Sequence, residues 1–125
     1  MEKIVFLPGA SGNIDFWKPL IEFLPKKYEK QIIGYPGFGR IAEDTRLKSF
    51  SDLQEYVTGK MNAESILIAQ SMGGIFAVNK AFTDPSLIKG LVLIATSGGI
   101  DLTPFNVQDW RTEYQEQYPR YPEWF

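Results

Sequence analysis

The stretch Ile66-Leu67-Ile68-Ala69-Gln70-Ser71-Met72-Gly73-Gly74-Ile75-Phe76 limits what this chain can become more than any other. An apolar run of strand length stops at Ser71, with Gly73 and Gly74 just beyond, and an apolar segment with helical spacing then begins. Strand, tight turn and helix in that order pass very close to one another, so the residues flanking the serine must be small. Ala69 and Gly73 meet that demand. A serine at the apex of such a turn has its hydroxyl pushed clear of the backbone. The plainer alternative is a strand-to-helix turn whose serine merely caps the helix.

The rest of the chain repeats the alternation. Ile4–Leu7 reads as a strand buried on both faces, and Pro8 to Asn13 as a turn. Asp15–Leu24 reads as a helix presenting Phe16, Trp17, Leu20, Phe23 and Leu24, with Pro19 tolerated near its first turn. Lys30–Ile33 is a second strand, and residues 40–49 are polar loop. Ser51-Asp52-Leu53-Gln54 has the form of a capping box opening a helix that reaches about Met61. Glu64–Ala69 and Leu87–Ala95 are further strands. Between them Met72–Phe82 is a helix apolar nearly all round (Ile75, Phe76, Ala77, Val78, Ala81, Phe82), expected to be the most buried. Residues 106–118 read as a polar, aromatic-bearing helix. Alternating strands and helices with continuous apolar strands mean an α/β domain, a parallel sheet covered on both faces in three α/β/α layers. Ligands on such sheets bind beyond the carboxyl ends of the strands. Here those ends carry residues 8–13, 34–39, 70–74 and 96–101, all rich in glycine and small polar residues.

The totals exclude several classes. A net charge of −2 gives no electrostatic case for nucleic acid or an anionic membrane. No apolar run approaches the roughly 20 residues of a membrane helix. Met1-Glu2-Lys3 leads straight into the first strand, so no signal peptide is expected, and the absence of cysteine suits a cytoplasmic location. Neither a metal nor a cofactor is expected. The most consequential total is the absence of histidine. A serine nucleophile needs a base at neutral pH, and histidine is the usual one.

Three segments together resemble the α/β-hydrolase superfamily. Leu7-Pro8-Gly9-Ala10-Ser11-Gly12 is similar to the oxyanion loop that follows the family's first such strand. Gly34-Tyr35-Pro36-Gly37-Phe38-Gly39-Arg40 is similar to its D-x-P-G-x-G segment, with glycine in place of aspartate. Ala69-Gln70-Ser71-Met72-Gly73-Gly74 resembles the G-x-S-x-G nucleophile elbow, with alanine for the first glycine. Leu91–Thr96 looks like the strand after the elbow helix, and the chain from Thr103 like the start of a cap. The resemblance implies residues 1–103 as core and 104–125 as the start of a cap or tail. It also implies strands ordered 2-1-3-4, and a fold incomplete at its carboxyl-terminal end. It implies a serine hydrolase acting on a small-molecule ester or amide by acyl transfer through Ser71. The backbone N–H groups of Ala10 and Met72 would form the oxyanion hole, with Gln70 and Ser11 near the substrate. Asp101 is a possible acid. Trp110, Tyr114, Tyr118, Trp124 and Phe125 would line an apolar pocket or lie on an open apolar surface.

Two other readings stand beside this one. Gly9-Ala10-Ser11-Gly12-Asn13-Ile14-Asp15 is also similar to the NAD(P)-binding loop of extended short-chain dehydrogenases. Against it, Asp15 replaces the third glycine, and Gly34 stands where the ribose-binding acid belongs. The third reading is a non-catalytic binding module that keeps the elbow as scaffold. Finally, strand 87–95 is apolar and would be an unblunted sheet edge, so self-association through it and residues 104–125 is expected.

Overall fold

A computed structural model of the chain describes residues 2–107 and 122–125. Four strands form one parallel sheet: β1 (Lys3–Leu7), β2 (Glu29–Ile32), β3 (Ser65–Gln70) and β4 (Ile88–Ile94). Their spatial order is β2-β1-β3-β4, the order the sequence led us to expect. Three α-helices connect them: α1 (Lys18–Phe23), α2 (Phe50–Lys60) and α3 (Gly73–Thr83).

The order dictates the layers. From β1 the chain steps outward to β2, then returns past β1 to β3 and continues to β4. Parallel crossovers are right-handed, so a reversal of direction sends the connecting helices to opposite faces. Trp17, Ile21 and Leu24 accordingly pack with Ile4, Phe6 and Ile68 on one face. Leu53 and Val57 of α2 and Phe76 and Ala77 of α3 pack with Val5, Leu7, Leu67 and Ala69 on the other. The residues of β1 alternate between the two clusters, as the period of two requires. Among the described residues no helix is long and apolar enough to cross a membrane.

Three details depart from the sequence reading. The segment expected as one helix over 15–24 begins with a 3-10 turn, Ile14–Trp17, capped by the Asn13 side chain accepting from the N–H of Asp15 at 3.0 Å. Only Trp17 of its aromatic residues is buried, while Phe23 is 87% exposed. The cap of α2 is Ser49, whose Oγ accepts from the N–H of Asp52 at 3.1 Å; Ser51 lies inside the helix. The shift places Phe50 in the first turn, where its ring stacks on Phe76 at 5.4 Å. A helix starting at Ser51 would forgo that contact. The helix α3 buries Phe76 and Ala77 as expected, but Phe82 at its end is 84% exposed. Most of the helix expected over 106–118 lies outside the described residues, though Asn106 has a left-handed φ of 53° and Val107 is in no regular element.

Trp17 is the anchor of the smaller core. Its ring lies 5.4 Å from that of Phe6, and its Nε1 is buried with no hydrogen-bond partner among the described residues. Trp17→Ala should therefore cost about 3–5 kcal/mol, as large aromatic truncations do. Trp17→Phe should cost clearly less, because it keeps the ring and removes the unpaired donor. Urea unfolding of both variants checks this, and equal losses would show that ring packing does not dominate here.

Candidate active site

The reversal of chain direction falls between β1 and β3, and open α/β sheets have their crevice at the carboxyl ends of such a pair. The register pairs Leu7 with Ala69, so the chain leaves β1 at Pro8-Gly9-Ala10 directly beside Gln70-Ser71-Met72. A Cβ placed on Gly9 would lie 3.3 Å from the Cβ of Ser71 and 2.7 Å from Oε1 of Gln70. Two of the expected site segments thus meet.

Ser71 itself has a φ of 51°, a left-handed conformation rare for a residue with a side chain. Such strain persists only where surroundings over-determine it. Here the constraint is the helix. A Cβ on Gly73 would fall onto the carbonyl oxygen of Leu7 and within 2.7 Å of that of Pro8. The first turn of α3 therefore crosses the end of β1 at backbone contact, and Ser71 turns left-handed to bring it there. The N–H of Ser71 still completes the sheet, donating to the carbonyl of Ile94 at 3.0 Å.

The backbone N–H groups expected near Ser71 are those of Ala10 and Met72. Ala10 and Met72 are both 5% exposed, and among the described residues neither N–H donates to an acceptor. Met72 is the N-cap of α3, where the first N–H groups of a helix have no acceptor within it. The positive end of the eleven-residue α3 lies behind Met72. Ser71, Gln70 and Ser11 are all half-buried. Asp101 lies apart from this cluster in the chain, beyond β4. It is exposed, and its Oδ1 accepts from the N–H of Thr103 at 2.9 Å. That backbone bond, with a side-chain bond from Thr103, holds its carboxyl below the usual range.

Sequence reasoning missed Tyr35. It stood in a glycine- and proline-rich turn, yet its ring is wholly buried between Phe38 and Phe76. Its hydroxyl donates to the carbonyl of Pro8 at 2.6 Å, tying the loop after β2 to the loop after β1. Gly12 and Gly39 close the same junction, since a Cβ on Gly39 would lie 2.7 Å from the Gly12 carbonyl oxygen. The described end of the tail also arrives here. A Cβ on Gly37 would lie 2.7 Å from Cγ of Pro122, and the rings of Trp124 and Phe125 pack edge-on against Phe38 at 6.1 and 5.2 Å. Trp110, Tyr114 and Tyr118 lie outside the described residues. Among the described residues no cluster of carboxylates is placed to hold a metal ion.

The fold has counterparts among known proteins. The family model for the alpha/beta hydrolase fold matches residues 3–125. The chain belongs to that family. It is 31% identical over 95 residues to a pimeloyl-[acyl-carrier protein] methyl ester esterase of Wigglesworthia glossinidia brevipalpis, covering 76% of this chain and 36% of that protein. Its identity to the protein of the same name in Yersinia pestis is 28% over 94 residues. The 125 residues thus match little more than a third of the length of these relatives. Among solved structures, a carboxylesterase of the Thaumarchaeon Nitrososphaera gargenis superposes with a TM-score of 0.74 at 20% identity, over 93% of this chain and 45% of that one. A probable hydrolytic enzyme of Pseudomonas aeruginosa PAO1 superposes with a TM-score of 0.71 at 22% identity, over 92% and 44%. At these identities the structures speak for the fold alone.

Burial pushes the Tyr35 phenol well above its ordinary pKa of 10.0. A raised folded-state pKa stabilises the fold fully below the unfolded value, and that contribution is lost as pH rises through about 10 and beyond. Tyr35→Phe leaves the buried Pro8 carbonyl without its donor, a loss of about 1–3 kcal/mol near neutral pH. The stability gap between wild type and variant should shrink above about pH 10. Urea midpoints measured against pH test this; a gap constant with pH would mean the phenol titrates normally.

Proposed function

We propose that this hydrolase-fold chain carries the nucleophile and oxyanion hole of a serine hydrolase acting on small-molecule carboxylic esters. The observation that carries the reading is Ser71: a left-handed serine at the switch point of the sheet, beside the N–H groups of Ala10 and Met72, neither of which donates to an acceptor among the described residues. The names of the relatives support an ester, and methyl esters of carboxylic acids are the first substrates to try.

Oγ of Ser71 attacks the ester carbonyl carbon and gives its proton to a base. The carbonyl oxygen becomes an oxyanion, received by the N–H groups of Ala10 and Met72. Collapse breaks the bond to the alkoxide, which leaves as the alcohol after protonation. Water then hydrolyses the acyl-Ser71 ester by the same route in reverse roles. Backbone donors aimed at the developing charge contribute about 2.7–4 kcal/mol each. Gln70 and Ser11 border the place where the acyl and alcohol portions sit.

The base does not come from imidazole within these 125 residues, which contain no histidine. Asp101 is our candidate for the acid, available if the loop after β4 releases it from Thr103. Removing the base of a triad costs on the order of 10⁴–10⁶ in rate, so nitrophenyl-ester turnover by the chain alone should be weak. Ser71→Ala should abolish it. Stoichiometric labelling of Ser71 by a fluorophosphonate probe is the direct test. No labelling, or equal turnover by the alanine variant, would favour a binding module that keeps the turn as scaffold.

We also infer that the chain self-associates along β4. Leu91 to Ile94 are 38–45% exposed on a sheet edge with no proline or charge among them. Edges of that kind recruit strands. Sedimentation equilibrium at micromolar concentration should show a dimer or larger species, and a monomer at every concentration would contradict this.

A further inference from the structure

Thr96 entered the sequence reading only as the end of the strand after the elbow helix, yet its side chain reaches the backbone of Ser71. Its Oγ1 donates to the carbonyl oxygen of Ser71 at 2.6 Å and accepts from the N–H of Gly98 at 3.1 Å. The hydroxyl therefore has its proton committed in one direction. Its position is equally fixed by packing. A Cβ on Gly74 would collide with the Thr96 side chain, so that glycine leaves the space the threonine fills.

The backbone beneath it is unusual in the same place. The last registered pair of β3 and β4 is Gln70 with Ile94. The next residue on each strand, Ser71 and Ala95, is left-handed, with φ of 51° and 48°. Two adjacent strands thus end in the same strained conformation, although neither residue is glycine. At Ala95 the turn bends the chain so that Thr96 comes back over Ser71.

The carbonyl of Ser71 and the N–H of Met72 are the two ends of one planar peptide group. The carbonyl is held by Thr96 and by the N–H of Gly74 at 2.9 Å. With that end fixed twice, the opposite end can point in only one direction. A hydrogen bond to the carbonyl also polarises the N–H across the same peptide. We propose that Thr96 is a positioning residue that aims the Met72 N–H as an oxyanion donor, acting through the Ser71–Met72 peptide. The proposal rests on the ester-hydrolase reading of Ser71.

Thr96→Val keeps the shape and removes the hydroxyl, while Thr96→Ser keeps the hydroxyl and removes the methyl. The rate constant for fluorophosphonate labelling, expressed per folded molecule well below the unfolding midpoint, should fall about tenfold in the valine variant. That is less than the 10²–10³ lost when a donor is removed outright. The serine variant should stay within about threefold of wild type by the same scale. In parallel, the amide shift of Met72 and the backbone couplings that report φ at Ser71 should move in the valine variant and not in the serine one. A purely structural role would lower the midpoint of Thr96→Val and leave labelling and the Met72 amide unchanged, which overturns the proposal. If wild type is not labelled, the hydrolase reading fails, and Thr96 is judged on the amide and the φ couplings alone. If Thr96→Val does not fold, the wild-type Thr96 hydroxyl proton decides: slow exchange with solvent supports the proposal, and free exchange overturns it.

Discussion

The contact on which the carboxyl edge of this sheet depends is the crossing of α3 over the end of β1. Gly73 lies against the carbonyl oxygens of Leu7 and Pro8 with no room for a side chain. Because the helix starts there, the turn before it has no slack, and Ser71 takes up the difference as left-handed strain. Because β1 ends there, Pro8-Gly9-Ala10 is delivered beside that turn. Tyr35 and Thr96 then secure the junction from either side, one hydroxyl on the carbonyl of Pro8 and the other on that of Ser71, each at 2.6 Å. Loops from all four strands converge on one backbone crossing. Strain of this kind costs about 1–3 kcal/mol per residue and needs such a ring of fixed neighbours to survive.

The reversal of chain direction at this crossing also divides the cores unequally. The outward step to β2 is covered by six residues of α1 and a 3-10 turn, which bury Trp17 but leave Phe16 and Phe23 in solvent. The return steps carry two eleven-residue helices whose rings Phe50 and Phe76 stack on one another, with Phe76 also against Tyr35. The better-packed core thus lies under the helix that opens at Ser71. Rigid support there suits the nucleophile proposed at Ser71, since a misplacement of about 1 Å would forfeit much of its advantage.

The strands, their order and the serine turn were legible in the sequence because each leaves a local mark. A continuous apolar run is a two-sided strand, and a serine between Ala69 and Gly73 marks a close strand-to-helix passage. What was not legible depended on partners far along the chain. Ser49 and Ser51 both stand three residues before a side chain able to complete a cap, and only the stacking of Phe50 on Phe76 chooses between them. Tyr35 read as turn material because nothing nearby in sequence reveals an acceptor 27 residues away. Thr96 read only as the end of a strand for the same reason, its partner lying 25 residues back. Phe82 was misplaced because helical periodicity gives the apolar face of α3 but not where the neighbouring layer ends. Trp110, Tyr114 and Tyr118, expected on an apolar pocket or surface, lie outside the described residues.

The parts of the acyl-transfer site proposed for this chain share one property: they are supplied by backbone, or by a side chain whose backbone fixes it. The donors of Ala10 and Met72 need only the loop after β1 and the first turn of α3, and the serine needs only the turn itself. Four strands are enough to define all three positions, because each is set by pairing between β1, β3 and β4. A general base is different in kind. It must be a titratable side chain brought to Oγ from another direction, and its pKa depends on whatever surrounds it there. Nothing in the crossing of α3 over β1 supplies such a group, and the composition contains no imidazole. Nucleophile geometry and proton transfer are therefore separable in this architecture. The first can be read from a phosphonylation rate alone, whether or not the second is present to complete a turnover.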